Sequence, residues 1–322
     1  MHKKPVVLVT RKLPDAVERK LAENFQAILN PEDRLYTTDE ILQIANDVDA
    51  ILPCHTEKFS AETIAQLPTR VKAITNFSVG TDHVDLVAAK QKGVIVTNTP
   101  DVLSDATAEI AMLLMLGAAR RASEGERMVR NQQWQDWSPA FMVGKQITGK
   151  RIGILGMGRV GQVLAKRARG FDMTVHYHNR KPLDSSHAGG AVYHATVEDM
   201  LPEIDVLSIH CPATKETTGL LNRQRIALMN SNAILVNTSR GAVVDDDALV
   251  EALKTGGIAA AGLDVFNGEP DGIHPEYRKL ENTFLLPHIG SATEETRDAM
   301  GFRVIDNLNA IFNDEEPGDR VA

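Results

Sequence analysis

Arg151-Ile-Gly-Ile-Leu-Gly-Met-Gly-Arg-Val-Gly161 is the stretch on which the rest of the chain turns. A short apolar run ends in Gly156, Gly158 and Gly161, and a helical pattern opens with Arg159 and Val160. This is the grammar of a dinucleotide site. The first glycine allows a tight strand-to-helix turn, the second lets backbone approach a pyrophosphate, and the third lets helix and strand pack closely. The N–H groups of the first helical turn, at Arg159, Val160 and Gly161, then hold the anion.

The next strand, Met173 to His178, ends roughly 20 residues beyond the glycines, where such a fold puts its ribose-reading residue. No carboxylate stands there: the chain reads His176-Tyr177-His178-Asn179-Arg180-Lys181. An acid would select the free ribose hydroxyls of NAD. The amide of Asn179 followed by the cations Arg180 and Lys181 suits a 2′-phosphate instead, because Arg grips phosphate through paired N–H bonds and Lys adds a point charge. NADP(H) is therefore the expected cofactor, with NAD(H) still admissible because Asp184 lies just beyond.

With 322 residues the chain can build two domains with substantial cores, and 43% hydrophobic with 24% charged residues is ordinary for a soluble globular protein. A net charge of -8 and a pI near 5.7 argue against nucleic acid as a partner, although one basic pocket is compatible with them. The N-terminal Met-His-Lys-Lys-Pro, followed by Val6 to Val9, is too short in apolar length for a signal peptide and reads as a first strand. No run reaches membrane-spanning length. Cys54 and Cys211 lie far apart without metal-ligand spacing, so neither a disulfide framework nor a metal site is expected, and a reducing cytoplasm fits best.

Before the glycines, apolar runs at 6–9, 50–52, 71–75 and 94–97 alternate with helical patterns near 15–23, 39–46, 61–66 and 84–91. After them the alternation resumes with 175–177, 206–209, 233–237, 259–263 and 283–286. Alternation of this kind predicts parallel sheets in two α/β units. Between the two sets, Ser104 to Gln132 reads as one long interdomain helix opened by a capping residue and an early acid. Residues 293–312 are again helical in pattern, and the polar tail from Asn313 to Ala322 reads as frayed.

Five ordered segments resemble the D-isomer-specific 2-hydroxyacid dehydrogenases over nearly the whole chain. They are Asn76-Phe-Ser-Val-Gly-Thr-Asp82, the glycine fingerprint, Asn237-Thr-Ser-Arg-Gly241, Gly268-Glu-Pro270 and Pro287-His-Ile-Gly-Ser-Ala-Thr293. The resemblance implies an α/β fold of two Rossmann-like, flavodoxin-like domains with parallel sheets. In it the dinucleotide-binding domain, residues 102–288, is inserted into a split substrate domain, residues 1–101 plus 289–322. Within the family the chain looks most like the NADP-dependent glyoxylate and hydroxypyruvate reductases, including the 2-ketogluconate reductases. Phosphoglycerate and formate dehydrogenases are the enzymatic alternatives, and a nucleotide-sensing corepressor on the same fold is the non-enzymatic one.

The resemblance makes Arg240, Glu269 and His288 the catalytic set, and their chemistry can be argued directly. Reducing a 2-keto acid needs a hydride at the carbonyl carbon, a proton at the forming alkoxide and a cation for the carboxylate. His288 supplies the proton. Glu269 beside it raises the pKa of the imidazole and fixes its ring, and Arg240 holds the carboxylate and polarises the keto oxygen with a planar fork that Lys lacks. The resemblance also assigns the substrate carboxylate to the backbone at Val79-Gly80, with Asn76, Ser78 and Ser291 close by. It assigns Thr107, Cys211, Pro212, Thr217, Thr238, Ser239, Asp264 and Gly290 to cofactor contacts. Trp134 and Trp137 are the only tryptophans, in a polar loop that the family extends across a homodimer interface, so that Trp137 would line the partner's active site. The expected reaction is NADPH-dependent reduction of glyoxylate or hydroxypyruvate to glycolate or D-glycerate, with closure of the domains excluding water.

Overall fold

Val6–Val9 (β1) is the first of five strands in the N-terminal part of the chain, and its four residues are buried on both faces. A computed structural model describes residues 4–322; residues 1–3, the start of the run read as too short for a signal peptide, lie outside the described residues. After β1 come α1 (Asp15–Asn24), β2 (Gln26–Ile28), α2 (Thr38–Ala45), β3 (Ala50–Leu52), α3 (Ala61–Gln66), β4 (Ala73–Thr75), α4 (Leu86–Lys92) and β5 (Ile95–Thr97). The middle of the chain forms α5 (Ser104–Ala119), α6 (Ala122–Arg130), β6 (Arg151–Leu155), α7 (Arg159–Arg169), β7 (Thr174–His178), α8 (Ser185–Ala188), β8 (Val192–Tyr193) and α9 (Val197–Met200). It continues through β9 (Val206–Ile209), α10 (Arg223–Ile226), β10 (Ile234–Asn237), α11 (Asp246–Thr255), β11 (Ala260–Leu263) and β12 (Thr283–Leu285), and the last helix is α12 (Glu294–Phe312). Two compact units result, Met1–Leu103 with Ser291–Ala322, and Ser104–Gly290.

The first unit is a five-stranded parallel sheet in the order β2-β1-β3-β4-β5, the flavodoxin-like order. Alternate residues of each strand feed opposite faces, as expected where helices cover both sides. Leu8, Ile51, Ile74 and Val96 pack on one face, and Val7, Val9, Ala50, Leu52 and Ala73 pack on the other with Val17 and Leu21 of α1 and Val304 and Leu308 of α12. Burying each such Leu, Ile or Val contributes about 1.5–3 kcal/mol. Helix starts are specified by side chains: Thr37 and Glu40 make a reciprocal capping box on α2, Ser60 caps α3 through the Thr63 N–H, and Asp85 caps α4 through the Ala88 N–H.

The second unit is a seven-stranded parallel sheet in the order β12-β11-β10-β9-β6-β7-β8. The order reverses between β6 and β9, so this is a doubly wound sheet whose crevice opens at the carboxyl ends of those two strands. Ile152, Ile154, Val175, Tyr177 and Val236 face α5 and α7, whereas Leu155, Leu207, Leu235, Ala261 and Leu263 face α11.

Three sequence expectations need correction. The long helix over 104–132 is broken: α5 ends at Ala119, Arg121 takes a left-handed φ of 55°, and α6 begins at Ala122. The cause lies downstream. The Ala119 carbonyl, which a continuous helix would give to the N–H four residues on, accepts the Lys145 N–H at 2.7 Å. Gly144 makes that approach possible, since a Cβ there would lie 2.4 Å from the same oxygen. The tail, read as frayed, is pinned. Val96 donates to the Ala322 carbonyl at 3.1 Å, Val321 donates to Val96 at 2.8 Å, and buried Asp319 accepts two bonds from Arg303 and one from Asn307. The two short edge strands β2 and β8 are a third difference, since the apolar pattern predicts neither. No helix among the described residues is long and apolar enough to cross a membrane.

Candidate active site

The residues singled out in the second unit gather along the carboxyl edge of its sheet. The glycine turn follows β6, Asn179 follows β7, Cys211 follows β9, Thr238 to Arg240 follow β10, Asp264 follows β11 and His288 lies just beyond β12. The edge thus lines up residues up to 132 positions apart, from Gly156 after β6 to His288 beyond β12, with the ends of β9, β10 and β11 between them.

Each of the three glycines meets a different steric demand. Gly156 has φ 91°, and a Cβ there would lie 2.6 Å from the Cys211 nitrogen, so the turn is pressed against the end of β9. A Cβ on Gly161 would sit 2.8 Å from the Gly156 carbonyl oxygen and 3.0 Å from Ile154, which is how closely α7 approaches the strand. At Gly158 a Cβ would meet nothing within 4 Å. The open position is therefore the one facing outward at the N-terminus of α7, where Gly158 is the N-cap and no side chain caps the helix. A helix N-terminus with that clearance fits the pyrophosphate of a dinucleotide.

Asn179 is committed to the turn itself. Its Oδ1 accepts the Met157 N–H at 2.7 Å, which holds the glycine loop against the end of β7. Arg180 and Lys181 are exposed beyond it. Asp184, the acid that could repel a 2′-phosphate, turns back to cap α8: it accepts the Ser186 hydroxyl at 2.6 Å and the His187 N–H at 3.0 Å. Those bonds hold its carboxyl well below the usual carboxylate range. At the other wall the Ser239 hydroxyl donates to the Cys211 carbonyl, and the Thr217 hydroxyl donates to the Pro212 carbonyl at 2.5 Å. Thr238 lies 3.3 Å from Nδ1 of His210, whose Nε2 is 2.8 Å from the Ser208 hydroxyl. Desolvation pushes His210 down to about 4, so the ring is neutral at physiological pH.

The catalytic candidates are joined through backbone as much as through side chains. Glu269 accepts the Phe266 N–H at 2.8 Å with Oε2 and bonds Nδ1 of His288 with Oε1. His288 itself has a left-handed φ of 55°, an uncommon conformation for a residue with a Cβ. The next two amides explain why it persists: Asp264 accepts the N–H groups of Ile289 and Gly290, both at 2.8 Å, and the Thr107 hydroxyl donates to the Gly290 carbonyl at 3.1 Å. Burial raises the Asp264 carboxyl above its ordinary range, although the two amides and His288 oppose that shift. Arg240 begins a short 3₁₀ turn over Gly241–Val243, and its Nη1 donates to the Ser239 carbonyl at 2.8 Å. A Cβ on Gly241 would lie 2.1 Å from the Phe266 carbonyl carbon. The Arg240 turn is therefore seated on the residue whose amide holds Glu269. Phe266 and the Asp264 clamp were not singled out for these roles; the Arg-Gly pair at 240–241, demanding a close neighbour, was the available signal.

In the first unit the loop after β4 is built in the same way. Asn76 is fully buried, donates to the Thr97 carbonyl at 2.9 Å and meets Nε2 of His83 at 2.8 Å. The Ser78 hydroxyl donates to the Gly80 carbonyl at 2.7 Å, and Asn98 donates to the Val79 carbonyl at 2.8 Å. The Ser291 carbonyl accepts Nε of Arg297 at 3.1 Å. Trp134 and Trp137 are 57% and 69% exposed. Cys54 and Cys211 are free thiols, pushed up to about 12 and about 11 by burial.

Comparison with known proteins gives the family. Residues 112–290 match the family described as D-isomer specific 2-hydroxyacid dehydrogenase, NAD binding domain. The chain is 42% identical to a glycerate dehydrogenase of Hyphomicrobium methylovorum, covering 96% of each chain. It is also 42% identical to a glyoxylate reductase of Thermococcus litoralis, over 99% of this chain and 97% of that one. Among solved structures, an NADPH-dependent glyoxylate/hydroxypyruvate reductase from Sinorhizobium meliloti, in complex with NADP and malonate, superposes with a TM-score of 0.86 at 33% identity. That alignment covers 99% of this chain and 97% of that one.

Proposed function

Because the chain belongs to the D-isomer specific 2-hydroxyacid dehydrogenase family, we propose that it reduces small 2-keto acids, glyoxylate and hydroxypyruvate foremost, with NADPH. The products are glycolate and D-glycerate. The observation that carries this reading is Glu269 held between the Phe266 amide and the His288 imidazole at the carboxyl edge of a dinucleotide-type sheet.

The glycine turn with Arg159 and Val160, the end of β9 at Cys211-Pro212 with Thr217, and Thr238, Ser239, Thr107, Asp264 and Gly290 would hold the cofactor. When bound, its reduced nicotinamide supplies the hydride. The protein's own part is positional and acidic. Glu269 occupies Nδ1 of His288, so the proton to be given away is held at Nε2, the atom left to face a keto oxygen. Arg240 anchors the substrate carboxylate and polarises the same oxygen, and the Val79-Gly80 backbone, with Asn76, Ser78 and Ser291, receives the carboxylate from the first unit. Arg180 and Lys181, two exposed cations just beyond β7, favour NADPH over NADH by their attraction for a 2′-phosphate.

We assign the working form to a homodimer, supported by the solvent-facing Trp134, Trp137, Val129 and Val143 in and around the 131–146 loop, an apolar surface of the kind that interfaces cover. A reducing cytoplasm suits the two free thiols. The deciding experiment is a matrix of initial rates for glyoxylate, hydroxypyruvate, 2-ketogluconate and pyruvate, each with NADPH and NADH. The expected result is kcat/KM at least about tenfold higher with NADPH, with glyoxylate or hydroxypyruvate leading. Tight cofactor binding without turnover of any acid would overturn the enzymatic reading.

A further inference from the structure

Glu269 stands on an exposed bend of the second unit. Gly268, Pro270, Asp271 and Gly272 all face solvent, and the chain doubles back among them: Gly268 has φ 67°, and the Gly272 N–H donates to the Gly268 carbonyl at 2.6 Å. A Cβ on Gly272 would lie 2.8 Å from that same oxygen, so the two arms of the bend leave its base side by side. Where Glu269 aims its carboxylate therefore depends on how the arms are gripped, at Asn267 before the bend and at Tyr277 after it.

One carboxylate grips both. Asp246, the first residue of α11, accepts Nδ2 of Asn267 at 2.8 Å with Oδ2 and the Tyr277 hydroxyl at 2.9 Å with Oδ1. It is not spent on the helix, because Asp245 supplies the cap by accepting the Ala248 N–H at 3.0 Å. Tyr277 is the firmer anchor: it is fully buried, its ring centroid lies 6.2 Å from that of Phe266, and burial followed by the Asp246 charge pushes its phenol up, which keeps it a donor. Asn267 gives its amide to the Val244 carbonyl as well, at 3.3 Å, and the residue before it, Phe266, donates its N–H to Glu269. Asp246 is thus tied to both sides of the segment that carries Glu269.

We propose that Asp246 is a positioning residue for the proton-transfer pair: by holding both arms of the 268–272 bend it fixes where the Glu269 carboxylate meets Nδ1 of His288. The inference rests on the roles given above to Glu269 and His288, and it adds a residue that acts on them through Asn267 and Tyr277. A bond between side chains decides the register of a catalytic carboxylate, and a displacement of that carboxylate by a fraction of a hydrogen-bond length lowers the rate without touching the cofactor.

The test exchanges the two groups. Asn267→Asp sets a second carboxylate against Asp246 and drives the incoming arm away, and adding Asp246→Asn restores an amide facing a carboxylate with their places reversed. Three quantities are read on these proteins and on Asp246→Ala: kcat for glyoxylate with NADPH, the Kd of NADPH, and the hydrogen-exchange rate of the Phe266 amide, which reports the Glu269 carboxylate directly. In Asp246→Ala and Asn267→Asp, kcat should fall about tenfold or more and Phe266 exchange should quicken by a similar factor, with NADPH affinity held within about twofold. In the double variant both should return to within about threefold of the wild type. Wild-type kcat and exchange in Asp246→Ala overturn the positioning role and leave Asp246 a support for α11. A double variant no better than Asn267→Asp overturns the pair, and it decides the matter even where Asp246→Ala does not accumulate. A fall in kcat with Phe266 exchange unmoved overturns the route through Glu269. If the wild type turns over no keto acid, the reductase reading has failed instead, and the exchange rates still decide whether Asp246 holds Glu269.

Discussion

Asp264 accepts the N–H of Gly290 at 2.8 Å with one carboxylate oxygen while its other oxygen takes the adjacent amide of Ile289. This clamp follows directly on His288, whose φ of 55° needs an external hold. In Asp264→Asn one of the two acceptor positions becomes an NH₂ group opposed to an N–H donor. The expected outcome is a stability loss of about 1–3 kcal/mol and a fall of at least about tenfold in kcat, read by urea unfolding and steady-state rates. Full activity with unchanged stability would show that His288 holds its backbone without the clamp.

The same logic separates the proposed acid from its partner. His288→Ala should lower kcat by orders of magnitude with NADPH affinity nearly intact, measured by fluorescence titration. Glu269→Gln keeps a hydrogen-bonding group beside the ring and removes the charge. A fall in kcat of about tenfold or more with NADPH affinity held is then expected, because the ring loses the charged partner that orients it. Wild-type kcat in this variant would dissolve the pair.

Much of this site could be read from the chain, and what could not has a common physical cause. Glycine spacing, β-branched runs and strand-terminal polar residues are local signals, and Gly156 is legible through them, whereas Arg240, Glu269 and His288 are singled out by the family resemblance of the segments that carry them. The break after Ala119 was invisible because the competitor for its carbonyl is the Lys145 amide, 26 positions on. The pinned tail was hidden in the same way: Asp319 looks like a solvated acid until Arg303 and Asn307 surround it. Edge strands β2 and β8, with three and two residues, carry too little apolar alternation to announce themselves.

The three glycines should fail differently when each becomes alanine. Gly156→Ala sets a methyl 2.6 Å from backbone nitrogen at a φ of 91°, so cooperative unfolding should drop by several degrees or the protein should not accumulate. Gly158→Ala meets no protein atom within 4 Å, so thermal stability should hold within a few degrees while cofactor affinity falls about tenfold or more. Unchanged affinity in Gly158→Ala would remove the pyrophosphate from this turn.

Arg180 and Lys181 provide a charge test of cofactor choice. Replacing both with Ala should weaken NADPH by about 2–3 kcal/mol and NADH by far less, with the NADPH loss shrinking as salt is raised. Equal losses for the two cofactors would mean that the cations act on the fold rather than on a 2′-phosphate.

His210 ties the nucleotide wall to pH. Its folded pKa, about 4, lies below the ordinary value of 6.5, because the ring beside Ser208 and Thr238 has lost its water. Between those values the unfolded chain binds a proton that the folded chain does not, so the stabilisation is fully present above pH 6.5 and is lost as pH falls toward 4. Up to about 2 kcal/mol should disappear between pH 7 and pH 5 from this group. His210→Gln, which cannot titrate, should lose that much less over the same interval in urea unfolding, whatever its stability at pH 7. Equal pH slopes for the two proteins would falsify the assignment of a neutral, desolvated His210.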